Sequence, residues 1–215
     1  MLVRGGTPSG VGRRSGSKLG RVLAWGGVVG PVAFVADWAV LGHLRPGYSA
    51  VHDAISQLAA LDSPTRAAMT AGLVVDGVGL VAYGLALRDA DAGLAWKLAT
   101  VTGLGTLGVA AFPLGTPMSG KIHAAFAVVT YASLVGVPVA VAVTQTRRYG
   151  KALSKTAIAT ATAAAAALAI SLCDVRGHGL AQRTGLTIGD AWVVASALAL
   201  LRARIETPPV VAPEG

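Results

Sequence analysis

Charge is scarce in this chain. Asp, Glu, Lys and Arg make up 13% of its 215 residues, against about 25% in an ordinary soluble domain. Cysteine is scarcer still: Cys173 stands alone, which excludes an intrachain disulfide and a thiolate zinc site. The four histidines are dispersed, with no pair at the spacing that places two metal ligands on one helix face. No Gly-x-Ser-x-Gly elbow occurs, so the local signature of one large hydrolase class is missing. Gly103, Gly105 and Gly108 lack a following Lys-Ser/Thr and a strand–turn–helix context, which excludes a phosphate-cradling loop.

What is present is apolar. The hydrophobic fraction is 53% and the mean hydropathy is +0.63. Apolar runs long enough to cross a bilayer need roughly 20 residues. Such runs are expected near Val22–Leu44, Ala67–Leu87, Leu98–Phe112, Ile122–Val143, Thr156–Leu172 and Leu186–Leu201. The third and sixth are short. The expected fold class is all-α: a six-helix transmembrane bundle over residues 21–203, flanked by disordered tails at 1–20 and 204–215. Arg13-Arg14 resembles a twin-arginine signal, but the apolar run behind it is too long for one. The first run is therefore read as a retained helix.

The net charge of +8 invites a nucleic-acid partner, but its distribution answers otherwise. Of the 18 Lys and Arg residues, thirteen fall on the tails and alternate loops on one side of the expected bundle, and five on the other. Positive residues favour the cytoplasmic side. Both termini are therefore expected in the cytoplasm, and the expected partners are membrane lipid or a lipid-soluble small molecule. No nucleic acid is needed to explain the charge.

The longest outer loop, 45–66, carries its own pattern. Arg45-Pro46-Gly47-Tyr48 reads as a turn, with Ser49 as a helix cap. Val51, Ala54, Ile55, Leu58 and Leu61 mark one helical face; His52, Asp53, Ser56 and Gln57 mark the other. A short amphipathic helix at the membrane interface is expected.

Three aspartates fall at membrane depth: Asp37, Asp76 and Asp190. Each costs about 2.5–3.5 kcal/mol on insertion scales. Gly26, Gly30, Ala33 and Asp37 share one helix face, and Gly72, Asp76, Gly79 and Tyr83 share another. Small residues let membrane helices approach closely, so both acids are expected to face inward. One reading makes Asp37 and Asp76 polar glue between helices. A second group, Asp53, His123, Asp174 and Arg183, comes from different outer loops and helix ends and is expected to converge in an outward-facing pocket. His52 and His178 lie near it.

The motif from Arg45 to Ser49, followed by His52-Asp53-Ala54-Ile55-Ser56-Gln57-Leu58, carries a resemblance, and Phe112-Pro113, His123 and Gly179-Leu180-Ala181-Gln182-Arg183 fit the same pattern. The chain resembles bacterial six-span membrane proteins classed as a domain of unknown function and distantly related to the Frag/DRAM/Sfk superfamily. In size, span number and buried acids it is also similar to small actinobacterial intramembrane terpene cyclases.

The second resemblance implies a reaction without metal or other cofactor. A neutral aspartic acid would protonate an alkene or epoxide of a prenylated substrate, carbocations would form, and a base would remove a proton. Asp53 or Asp174 would be the acid, with Asp76 or Asp190 next in line, and His123 would orient it or take the final proton. Trp38, Tyr48, Phe112 and Trp192 would wall the cavity, and Asp37, His52, Gln57 and Arg183 would complete it. The alternatives are a non-enzymatic lipid- or partner-binding membrane protein and a small proton-coupled carrier.

Overall fold

The computed structural model describes residues 18–173 and 175–205, with the side chains of 145–152 and 204–205 left aside. Among the described residues the regular structure is all helical: α1 (Lys18–Leu44), α2 (Arg66–Asp89), α3 (Ala95–Ala111), α4 (Pro117–Ser171) and α5 (His178–Ile205), with one 3-10 segment at Ile55–Ala59. The tails expected to be disordered lie outside the described residues, apart from Lys18–Gly20, which open α1, and 204–205, which close α5.

Five segments are long and apolar enough to cross a membrane: α1, α2, Pro117–Thr144, Leu153–Ser171 and most of α5. Two of them belong to α4. Ser154 Oγ donates to the Ala142 carbonyl at 3.4 Å, although a straight helix would separate those residues by about 18 Å. The chain therefore reverses within 145–152 and α4 has two limbs. The remaining helix, α3, has 17 residues, a length of about 26 Å.

Each helix packs on the next, and α5 closes back onto α1. Glycine sets the spacing where α1 crosses α2. A Cβ at Gly26 would sit 2.5 Å from the Gly79 carbonyl oxygen, and one at Gly79 would sit 2.6 Å from that of Gly26. The two small-residue faces read from the sequence are thus packed on each other. Outward-facing positions are apolar, including Val22, Val32, Val40, Val78 and Val143, as lipid contact demands.

The loops gather at two ends. At one, Leu61 N–H donates to the Leu114 carbonyl and Leu180 N–H to that of Val51. At the other, Gly93 lies against Thr144. The helices therefore alternate in direction, and α3 runs from one end to the other.

Loop 45–61 differs from its expected form. The amphipathic α-helix is replaced by turns and the single 3-10 segment. Ala54 is extended, at φ −67° and ψ 148°, which breaks any helix between Ser49 and Ile55. The physical reason is competition, since α5 takes the polar backbone groups a local helix would need. Leu180 N–H holds the Val51 carbonyl, Gln182 Oε1 accepts from Ile55 N–H at 2.8 Å, and Arg183 holds two further carbonyls. Ile55 and Leu58 are buried as expected, whereas Val51 and Leu61 are exposed.

Candidate functional site

A cavity of about 50 Å³ lies at the centre of the bundle. α1, α2, α3, the first limb of α4, α5 and the start of the 3-10 segment all line it; the second limb of α4 does not. On the same measure a water needs about 10–15 Å³, so there is room for a few waters or one small head group. The walls are mainly apolar, with Phe34, Leu73, Leu80, Leu134 and Leu186 among them.

The polar groups come from four helices and from Ser56 of the 3-10 segment. α2 brings Asp76, α5 brings Asp190 and Gln182, α3 brings Thr102 and Thr106, and α4 brings His123, Thr130 and Tyr131. Asp76 is 4% exposed and Asp190 5%. Asp76 Oδ1, Asp190 Oδ2 and Thr130 Oγ1 have no hydrogen-bond partner among the described residues. Among the described residues neither lysine nor arginine lines the cavity. Two carboxyl groups therefore face one cavity with no neutralising side chain among the described residues.

The other polar groups are largely committed. Thr102 Oγ1 donates to the Leu98 carbonyl and to Ser133 Oγ, each at 2.9 Å, and Thr106 Oγ1 donates to the Thr102 carbonyl. Gln182 Nε2 donates to Tyr131 Oη at 2.6 Å, and its Oε1 holds Ile55 N–H. His123 Nδ1 lies 2.9 Å from the Phe112 carbonyl oxygen. A carbonyl only accepts, so Nδ1 carries the proton and Nε2 of the neutral ring is an acceptor.

The expected outer group does not assemble as read. Asp53 turns back on its own loop, where Oδ2 accepts from Ser49 N–H at 2.7 Å, and it does not line the cavity. Asp174 lies outside the described residues. Arg183 is buried at 4% exposure and holds backbone: Nη1 donates to the carbonyls of Ala50, Asp53 and Gly179 at 2.8–2.9 Å, and Nη2 to Tyr48 Oη. Its guanidinium also lies 5.4 Å from the ring centres of both Trp38 and Tyr48, a cation–π arrangement. Burial pushes the Tyr48 phenol above its ordinary range, with Arg183 opposing. Of the three that are described, only His123 lines the cavity.

Neighbouring residues are also displaced from their expected roles. Asp37 is half-buried against Gly72 and stands outside the cavity lining. Trp38 and Tyr48 flank Arg183, and Phe112 stacks on Phe126 at 5.7 Å. Trp192 is half-buried with its indole N–H unpartnered, and Gln57 is exposed. Exposed His52 accepts a 3.4 Å bond at Nδ1 from Gly177 N–H. That glycine has φ +87°, a conformation glycine adopts at little steric cost.

Thr102, Thr106, Thr130 and Tyr131 were not singled out by their sequence positions, and Gln182 stood only as part of the Gly179–Arg183 motif. One signal was available: Thr102 and Thr106 lie four apart in an otherwise apolar helix, and so share a face. Among the described residues no group of three or more His, Cys, Asp or Glu side chains is placed to hold a metal ion.

No curated protein and no solved structure matches the chain. One family model does, over residues 28–199, a stretch that includes both cavity aspartates and the Arg183 clamp. The chain belongs to that family, described as protein of unknown function, DUF998.

Proposed function

We propose that this is a six-span protein of a bacterial cytoplasmic membrane, with both termini in the cytoplasm, that acts on a lipid-soluble small molecule through Asp76 and Asp190. The sixth span is α3, shorter than the roughly 30 Å hydrocarbon core and accommodated by local thinning. The orientation rests on the distribution of Lys and Arg.

One observation carries the reading: two buried carboxyl groups face one apolar-walled cavity, each with an unpartnered oxygen. Two such groups can share a proton, one serving as acid while the other serves as base. The concrete reaction is a metal-independent cyclisation of a prenylated substrate. The acid's proton forms a C–H bond with a terminal alkene carbon, leaving a tertiary carbocation. A second alkene closes the ring, and the partner carboxylate or His123 Nε2 removes a proton. Substrate and product are isomers, and the protons balance. The cavity takes the reacting end, while the remaining chain lies among the helices.

The test uses the full chain in phosphatidylcholine liposomes with geranylgeranylated indole, followed by mass spectrometry for an isomeric product. Wild-type protein should form it; Asp76→Asn and Asp190→Asn should each lose at least a hundredfold. Undiminished turnover by both variants sinks the reading. Proton uptake coupled to solute movement, abolished by Asp76→Asn without any isomer, points instead to a carrier.

A further inference from the structure

We infer that the cavity binds the ammonium head of a lipid-soluble primary amine, held by Asp76 and Asp190. The inference rests on the proposed placement of a lipid-soluble ligand against those two residues and goes beyond it: the amine is a second ligand class, one that excludes the alkene end from the same cavity.

The cavity lining holds two carboxyl groups and, as uncommitted donors, only the neutral hydroxyls of Ser56, Thr130 and Tyr131 among the described residues. Asp76 Oδ1 and Asp190 Oδ2 are buried and unpartnered. The hydroxyl protons of Thr102 and Thr106 are already given to backbone or to Ser133, leaving oxygen lone pairs. His123 spends its Nδ1 proton on Phe112, leaving Nε2 as an acceptor. The hydroxyls of Ser56, Thr130 and Tyr131 supply one proton each, whereas buried carboxyl oxygens left unpaired are costly, and among the described residues no lysine or arginine lines the cavity to relieve them. A ligand with several N–H donors and a positive charge is the complement. A primary ammonium has three donors in a compact head, a size suited to about 50 Å³. The apolar walls formed by Phe34, Leu80 and Leu134 suit hydrocarbon next to that head. With one proton shared by the two acids, a bound ammonium makes the site neutral overall, which is the arrangement a membrane interior tolerates.

The test uses the full chain in phosphatidylcholine nanodiscs. Dodecylamine, dodecanol and sodium chloride are titrated separately, and thermal stability is followed by tryptophan fluorescence. Dodecylamine should bind at least tenfold more tightly than dodecanol, and Asp76→Asn or Asp190→Asn should erase the difference. A measurement on unaltered protein guards against misfolded variants: labelling of Asp76 and Asp190 by dicyclohexylcarbodiimide, mapped by mass spectrometry, should be blocked by dodecylamine and not by dodecanol. Equal binding of both probes overturns the amine assignment and leaves the proposed cavity standing. Stabilisation by sodium alone, lost in the aspartate variants, overturns the assignment in favour of an inorganic cation. Binding of neither organic probe, with labelling unprotected, overturns both readings.

Discussion

The Asp37 carboxylate occupies the space that a side chain at Gly72 would need: a Cβ built there would fall on Asp37 Oδ2. The acid on α1 and the glycine on α2 are therefore one fitted pair. Gly72→Ala should destabilise the bundle by about 1–3 kcal/mol through overpacking. Asp37→Ala should restore most of that loss in the double variant. Unfolding titrations of both single variants and the double variant measure the coupling. Strict additivity would show that the two side chains do not compete for this space.

Arg183 ties the loop to α5 with three hydrogen bonds from one guanidinium, to Ala50, Asp53 and Tyr48, and makes a fourth to Gly179 of its own helix. Lysine keeps the charge but lacks the planar fork. Arg183→Lys should cost roughly 3 kcal/mol, because buried carbonyls lose their donor. The loop should also open to limited proteolysis near residues 48–54. An intact loop in the variant would show that Leu180 and Gln182 suffice to hold it.

Asp53 and Asp190 should behave as opposites. Asp53→Asn keeps an acceptor for Ser49 N–H and should leave ligand binding within twofold of wild type. Asp190→Asn alters a group that lines the cavity and should weaken binding of an ammonium probe at least tenfold, a loss of about 1.4 kcal/mol. Titration of the two variants side by side decides between the loop acid and the cavity acid.

Gln182 bridges the loop and the first limb of α4 through Ile55 N–H and Tyr131 Oη. Gln182→Leu should leave Ile55 N–H unpaired and cost about 1–3 kcal/mol. Hydrogen exchange at Ile55 should rise by at least tenfold while exchange in mid-α2 is unchanged. Unchanged protection at Ile55 would mean that another group holds its N–H.

Reporter fusions test the topology. Fusions at 92, within 145–152 and at 205 should report the cytoplasmic side, and fusions at 62 and 115 the opposite side. A fusion at 115 that agreed with one at 92 would remove α3 from the set of spans.

Much of the architecture was legible before any coordinates. Charge scarcity and apolar run length dictate helices in lipid, because every backbone polar group must be satisfied within its own segment. The two small-residue faces on α1 and α2 were legible too, though not that they pack on each other. Glycines at helical spacing beside Asp37 and Asp76 identify two faces that can approach closely, and Gly26 and Gly79 do meet. The cavity residues were less legible. Asp76 and Asp190 stood out as charges at membrane depth, but nothing local distinguishes them from Asp37, which sits against Gly72 outside the cavity.

What the amino-acid sequence determined by itself is therefore the helical class, the approximate spans and the small-residue faces, since all three depend on composition and period along one chain. The tertiary structure alone decided that Asp53 serves its own turn, that Arg183 clamps a loop and that Asp76 shares a cavity with Asp190. Those outcomes depend on which helices become neighbours and how far each is rotated. They also depend on the competition between local and long-range partners for the same backbone groups, and sequence spacing carries no record of that competition.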